Sequence, residues 1–393
     1  MAERAERFPI GATVTIERLT ADPHPVLAQL REHEPVSWIG ALSGWLVTRH
    51  DLAEQVMRDP VTFTVDDPRF STAQVLGPSM LSLDGPPHSR HRAPFAAAFR
   101  PAEVRERFTG FVHGEAARLI AVMKAGQRAE LRRALAGPLS VAVLAESLGL
   151  PDADPATVLD WYAAIVGAVS AITAGRPVQP AAAEAVAALR DQVQHAVGLQ
   201  RAVWTGRSLL GQAAADLSLD EVVSNAAVLM FGGIDTTEGM LANLVGQLLT
   251  DRRRWTALLD DPDLIPAAIE ESLRLEPAAA VVDRYATRSV RLAAADIEAG
   301  EPVTVSIAGV NRDPAVFDDP NRFDPHRPNL RRQLAFARGP HFCLGMDLAR
   351  LQARIVLRLL LAELPGLRLA PGRPPEPVGL VFRKPADVWL EWA

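Results

Sequence analysis

The stretch from Leu219 to Thr250 constrains this chain more than any other. It opens on Ser218 with Glu221 three residues on, the spacing of a capping box. Val222, Val223, Ala226, Ala227, Val228, Leu229, Met230 and Phe231 leave its first half no polar face. A helix of that kind must be surrounded by protein on all sides. At ~1.5 Å per residue the stretch spans roughly 48 Å, enough to cross a whole domain. A chain with such an element has to build other helices around it. Abundant Ala and Leu favour that outcome, and 48% hydrophobic residues over 393 positions suffice for a large core.

The middle of the stretch is less favourable. Gly232-Gly233-Ile234-Asp235-Thr236-Thr237 interrupts the apolar run. Each glycine costs about 1 kcal/mol relative to Ala inside a helix. An acid or a hydroxyl in a buried position costs more unless it is partnered. Two explanations stand. In one, the glycines let a neighbour pack close and the hydroxyls bond back to carbonyls one turn earlier. In the other, the cluster is a functional site, where local rules are broken for another end.

A second singular feature is Phe336-Ala337-Arg338-Gly339-Pro340-His341-Phe342-Cys343-Leu344-Gly345, which holds the one cysteine of the chain. A single thiol forms no internal disulfide, and it cannot build a site that needs several sulfur ligands. Cys343 is then a buried apolar filler, a nucleophile or one axial ligand to a metal. Gly339 and Pro340 fix an irregular loop. Beyond Cys343, Leu344, Leu348, Leu351, Ile355, Leu359 and Leu360 recur at helical spacing until Pro365. The cysteine thus stands at a helix entrance, where free N–H groups and the positive end of the dipole stabilise a thiolate. Gly345, without a side chain, lets a large flat ligand approach the backbone.

The remaining chain reads as helix with a little strand. Residues 1–20 read as an irregular arm, and Asp22 to His33 as a short helix. Val36 to Ile39 and Gly44 to Thr48 read as a hairpin turning at Gly40 to Ser43. Asp51 to Arg58 is helical, and residues 61–84 form a long loop of the kind that is functional or mobile. Helix resumes near Pro87 and runs to Leu150 with breaks at Pro101 and Gly126. Pro151 to Val203 is mostly helical, interrupted from Gly175 to Pro180. Ala278 to Val305 and Leu367 to Trp392 read as short strands. No repeat or linker divides the chain, so a single domain over 1–393 is expected.

The pattern Phe336-x-x-Gly339-x-His341-x-Cys343-x-Gly345 resembles the haem-binding loop of the cytochrome P-450 family, with Ala337 where that family usually has a second glycine. The resemblance implies the family's mainly α, triangular fold with a small β region and its long helix over the haem. It implies haem b as cofactor and Cys343 as its proximal thiolate ligand, with Phe336, His341 and Gly345 around it. The cluster in the long helix resembles the family's oxygen-binding groove. There Thr236 would hydrogen-bond the oxygen, Asp235 would feed protons from solvent, and Gly232 and Gly233 would leave room. Glu271 and Arg274 resemble the family's Glu-x-x-Arg, and Arg327 matches the arginine that completes this supporting network. Taken alone, an i,i+3 pair of this kind is a surface ion pair of about 0.2–0.5 kcal/mol. His88 and Arg92, four apart on one helix face, match with Arg284 and His341 the groups that hold the haem propionates. Four potential cations suit two carboxylates. The motifs follow in family order from His88 to Gly345.

The implied reaction is haem-thiolate oxidation, in which dioxygen and two electrons place one oxygen atom in an apolar substrate. No flavin or reductase segment is fused, so a separate ferredoxin with its reductase is the expected donor. Arg338 and the cations between Arg100 and Arg107 would steer it. By resemblance the substrate pocket is lined by residues 63–81, the helical region Trp161 to Trp204, Phe231, Gly232, the run Ala278 to Val282 with Val281 and Val282, and Val381-Phe382. These are mostly apolar or small, so a hydrophobic secondary metabolite is expected. Coupling, desaturation or peroxide-driven oxidation are alternatives within the family. A non-catalytic haem or small-molecule binding protein is the alternative outside it, and such a protein has no need of Asp235 and Thr236 in a buried helix. The net charge of −6 points to no nucleic-acid partner. No run of about 18 apolar residues could anchor the chain in a membrane, and no apolar leader segment opens it. A cytoplasmic monomer is expected.

Overall fold

The helix that begins at Leu219 is capped as its sequence requires: Ser218 accepts from the Glu221 N–H, and the Glu221 carboxylate accepts from the Ser218 N–H. The structure is a computed structural model and describes residues 2–150, 154–173, 177–203, 209–372 and 374–392. The long helix does not run unbroken to Thr250, which corrects the sequence expectation. It divides into Leu219–Gly233 and Asp235–Thr250, with Ile234 between them at φ −86° and ψ −71°. The cause lies in the cluster itself. Two glycines hold the helix weakly there, and the Thr236 hydroxyl donates to the Gly232 carbonyl, competing with the backbone ladder.

Helices Pro101–Lys124, Gly137–Leu148, Ile265–Leu275 and Met346–Glu363 pack with the two halves into the main core. Val222, Ala226, Ala227 and Met230 from the first half and Leu241, Leu244, Val245 and Leu248 from the second are all buried in it. Among the described residues no helix is long and apolar enough to cross a membrane.

The hairpin Val36–Ile39 and Gly44–Val47 forms in register, Trp38 opposite Trp45. Gly44–Val47 pairs in parallel with Pro302–Ser306, which pairs antiparallel with Val281–Ala286. Phe63–Thr64 closes the five-stranded sheet. Residues facing each other across a ladder point to one side. Trp45, Val303 and Arg284 are therefore neighbours on one face, and that face packs a second core against which Ala337 of the cysteine loop also lies. The sheet thus aims Arg284 toward the loop.

Several short elements depart from the reading of the sequence. The expected irregular arm holds helices Ala2–Arg7, Pro9–Ala12 and Ile16–Ala21. The expected loop of 61–84 holds strand Phe63–Thr64 and helix Ser71–Leu76. Strand Arg128–Glu130 lies within the region read as helix and pairs with Trp389–Glu391. Elements this short show no period, and tertiary partners fix them: the Glu34 carboxylate, for example, accepts the N–H groups of Ile10 and Gly11. Pro155–Thr173 and Ala181–Val203 are the two expected helices. Residues 151–153, part of the expected Gly175–Pro180 interruption, and Trp204 lie outside the described residues.

Candidate active site

The polypeptide itself builds the cysteine loop. The Cys343 N–H donates to the Phe336 carbonyl at 2.9 Å and the Phe342 N–H to the Gly339 carbonyl at 3.1 Å. Gly339 has φ +75°, and a Cβ on it would lie 2.2 Å from the Met57 carbonyl oxygen, so only glycine fits. Ala337 has φ +58°, a left-handed conformation that glycine takes without strain. An L-residue there costs roughly 1–2 kcal/mol. The helix Met346–Glu363 begins just past the cysteine, with Gly345 at its cap.

Burial pushes the Cys343 thiol up, although the N–H groups of Gly345 and Met346 donate to the sulfur and the charges of Arg92 and Arg350 favour a thiolate. The helix entrance therefore does not win on its own, contrary to the sequence argument. The residue is nonetheless exposed by surface area.

Four groups converge beside this loop. The His88 and His341 rings lie 4.4 Å apart. Arg92 donates to the Phe342 carbonyl. Arg284 is 4% exposed and donates only to the neighbouring Asp283 carbonyl. Asp84, an acid the sequence reading did not count, binds His341 Nε2 at 2.8 Å and the Thr64 hydroxyl at 2.7 Å. Burial works to raise the Asp84 carboxyl, but hydrogen bonds from His341, Thr64 and the Val65 N–H hold it below its ordinary value. Asp84 stands at the N-cap of the helix Gly85–Ala96 but makes no cap hydrogen bond, its carboxylate being turned to His341 and Thr64 instead.

The charge count changes accordingly. Burial, with the charges of His341 and Arg92, pushes His88 down to about 4, so it is neutral at pH 7. Burial also lowers His341, against the pull of Asp84. Arg92 and Arg284 remain the cations, because a guanidinium keeps its proton in proteins. Two cations then face any carboxylates bound here, not four.

Glu271 and Arg274 are fully buried. Arg274 uses all of its donors: two to the Glu271 carboxylate at 2.6 and 2.8 Å, and the rest to the carbonyls of Asn311, Pro320 and Arg322. Arg327 Nε donates to Glu271 Oε1 at 3.1 Å. The Asn311 side chain then accepts the Leu334 N–H at 2.7 Å, which ties this network to the start of the cysteine loop. A second tie runs from Glu270 to Arg350 at 2.6 Å, and Arg350 stacks over Phe336 at 4.6 Å.

At the break in the central helix, Asp235 Oδ1 pairs with Lys384 Nζ at 2.7 Å, and Thr236 turns its hydroxyl to Gly232. Thr237 is buried at 5% exposure. Phe231 and Phe382 meet edge to face with centroids 5.4 Å apart. Val281 and Val282 are half-buried at the start of their strand. Lys384, which the sequence reading did not single out, carries no local signal of its pairing.

These residues fit a haem. Its two acidic groups would meet Arg284, which is buried, and Arg92, which is half-buried, and His88 Nε2 is buried with no hydrogen-bond partner. A Cβ built at Gly345 or Gly232 meets nothing within 4 Å, so a flat ligand has room at both. Among the described residues no group of three or more His, Cys, Asp or Glu could hold a metal. A single sulfur suits a metal whose other ligands come from a macrocycle.

A family model described as Cytochrome P450 matches residues 255–377. The chain is 33% identical to a nocardicin C N-oxygenase of Nocardia uniformis subsp. tsuyamanensis over 98% of each protein. It is 35% identical to a mycinamicin IV hydroxylase/epoxidase of Micromonospora griseorubida, over 93% of this chain and 94% of that one. Among solved structures it resembles the cytochrome P450 enzyme CxnD for C–S bond formation in chuangxinmycin biosynthesis. There the TM-score is 0.86 at 29% identity, over 96% of this chain and 98% of the other.

Proposed function

Because the chain belongs to the cytochrome P450 family of monooxygenases, we propose that Cys343 is the thiolate ligand of a haem b and that the protein oxidises a hydrophobic small molecule of secondary metabolism. The observation that carries this reading is Cys343, an accessible thiol at the entrance of a helix, to which the N–H groups of Gly345 and Met346 donate. When bound, the haem would supply redox chemistry in which dioxygen, two electrons and two protons give one oxygen atom in the substrate and one in water.

The chain's own residues do the rest. Arg284 and Arg92 bind the propionates, and the orphaned His88 Nε2 adds a hydrogen bond, with His341 beside it. The Gly345 and Met346 N–H groups hold negative charge on the sulfur. Glu271, Arg274 and Arg327 brace the loop from behind. Gly232 and Gly233 leave room beside the helix break. Thr236 holds a proton there, and Asp235 moves protons inward from solvent. Phe231, Phe382, Val281 and Val282 give the substrate an apolar wall that excludes water.

Two supports bear on the substrate: this apolar lining, and relatives whose names are those of enzymes acting on nocardicin C and mycinamicin IV. For the electron donor we propose a separate ferredoxin served by its reductase. A bowl of about 640 Å³ reaches Phe342 and Gly339 of the cysteine loop and is edged by Arg58, Arg331, Arg332 and Arg338, with Glu54, which pairs with Arg58 and Arg338, as its one acid. Such a surface draws an acidic partner toward the sulfur side. The proposal places a single-domain enzyme in the cytoplasm. It is tested by supplying a surrogate ferredoxin, reductase and NAD(P)H with a panel of apolar metabolites. Product formed in step with NAD(P)H and slowed by salt is expected. Product formation with no dependence on the donor would contradict it.

A further inference from the structure

Asp235 and Glu238 stand three residues apart at the start of the second half of the central helix, so both carboxylates lie on one face. Left to themselves they repel, and one of such a pair takes up a proton more readily. The structure places Lys384 between them: Nζ is 2.7 Å from Asp235 Oδ1 and 3.3 Å from Glu238 Oε2. Lys384 comes from the hairpin of Pro377–Val378 and Lys384–Pro385, which crosses the helix at Gly239. A Cβ on Gly239 would lie 3.1 Å from Ala278 Cβ and 3.4 Å from Lys384 Cβ, so the lysine stem packs against this glycine. The chain has only two lysines, at 124 and 384, among 41 Lys and Arg. An ammonium donates in three directions and serves two carboxylates at once, whereas the flat guanidinium fork suits one.

The other groups facing this pair come from two further elements. Arg132, in the segment Arg132–Ala136, binds Glu238 Oε1 at 2.5 Å and the Pro385 carbonyl at 2.8 Å. Tyr162, in the helix Pro155–Thr173, is 6% exposed. Burial, then the Asp235 charge and the approach of its hydroxyl to the Asp235 carboxylate, raise its phenol, though that contact falls short of full hydrogen-bond geometry. Thr236, on the helix itself, is turned to Gly232. The cluster thus holds two acids, two cations and a phenol. Its charged side chains are 12% to 21% exposed, too little for solvent to screen them fully.

We propose that Lys384 is a positioning residue: it balances Asp235 against Glu238 and thereby sets the pH at which Asp235 exchanges its proton. This rests on the reading above that Asp235 moves protons. It extends that reading from one residue of the helix to the hairpin that also carries Phe382. Arg132 is already engaged with Glu238 and the Pro385 carbonyl, so it cannot replace the ammonium at Asp235.

Holoenzyme carrying Lys384→Met, Lys384→Arg, Glu238→Gln or Lys384→Met/Glu238→Gln is compared with the parent protein in two ways. One is the pH profile of product formed per NAD(P)H. The other is an infrared titration of the Asp235 carboxyl, taken as the difference from Asp235→Asn. Lys384→Met is expected to move both midpoints to higher pH by about one unit or more. Lys384→Arg, whose fork serves one carboxylate, should move them in the same direction by less. Glu238→Gln, which keeps the lysine and needs no change in the hairpin, should lower the Asp235 midpoint. The double variant should return toward the parent. An unchanged carboxyl titration in Lys384→Met, or a shift that Glu238→Gln does not reverse, overturns the proposal. If instead Asp235→Asn leaves oxygen consumption and coupling at parent levels, the proton role of Asp235 is what fails, and the infrared titration still reports on Lys384.

Discussion

In the cysteine loop the backbone fixes the geometry. Gly339 sits against the Met57 carbonyl with no space for a Cβ, and two N–H groups close the turn around Cys343. At the break in the central helix, side chains from remote segments fix it: Lys384 reaches Asp235 across 149 residues of sequence, and Arg132 reaches Glu238 across 106. The backbone of the first region is held by steric exclusion and neutral hydrogen bonds, with ion pairs such as Glu270–Arg350 and the Asp84–His341 contact bracing it from outside. The second is held by charge, which pH and salt can move. A site that must keep one sulfur in place is built the first way, and a site that must pass protons is built the second.

Substitutions in both regions, and a change of pH, can break or sharpen this contrast. The largest loss of stability is expected from Glu271→Ala, under the cysteine loop. It strands Arg274 and Arg327 without their carboxylate, and breaking a buried pair from one side costs about 3–5 kcal/mol. Chemical denaturation measures it, and a loss below about 1 kcal/mol would contradict the bracing role. Next is Gly339→Ala. A strained backbone alone costs on the order of 1–3 kcal/mol, and the 2.2 Å approach to Met57 adds to it. Haem retention should fall with stability. A fully stable, haem-retaining variant would show that the loop has slack.

A smaller effect concerns pH. The unfolded chain protonates His88 near 6.5, while the fold holds it neutral down to about 4. Its contribution is therefore present above pH 6.5 and is lost as pH falls from there toward about 4. Burial lowers His91 and His341 as well, and these act in the same direction. Protein prepared without haem should lose stability over that range, and His88→Gln should reduce the slope; an unchanged slope would remove His88 from the account. Thr236→Ala should change stability least, within about 0.5 kcal/mol, yet divert NAD(P)H into peroxide. Asp235→Asn should instead slow oxygen consumption, and Thr237→Ala should behave as the parent. Unchanged coupling in Thr236→Ala would take Thr236 off the proton route.

The contrast also explains what the sequence reveals. The cysteine loop is legible because ten contiguous residues carry it, with positive φ at Ala337 and Gly339 that favours small residues there. The buried apolar half of the central helix is legible for the same reason, since its pattern is local. Glu271 and Arg274 are visible as a pair, but their burial is not, because it depends on carbonyls of Asn311, Pro320 and Arg322. Asp84 and Lys384 are silent in sequence because each meets its partner from far along the chain, 257 residues away for Asp84 and His341. The break at Ile234 is half legible: the weak residues are there to read, but the Thr236 hydroxyl that takes the Gly232 carbonyl is a choice made in three dimensions. Charge states fail for a related reason. His88 counts as a possible cation in sequence and becomes neutral only through burial beside His341 and Arg92.

The central claim is that Cys343 ligates haem iron as a thiolate. The most direct measurement is the absorption spectrum of the reduced protein under carbon monoxide, for the parent and for Cys343→His. A strongly red-shifted Soret band in the parent, absent in Cys343→His, is the predicted result. A parent protein that binds haem and shows the unshifted band would contradict thiolate ligation, and with it the function proposed for this site.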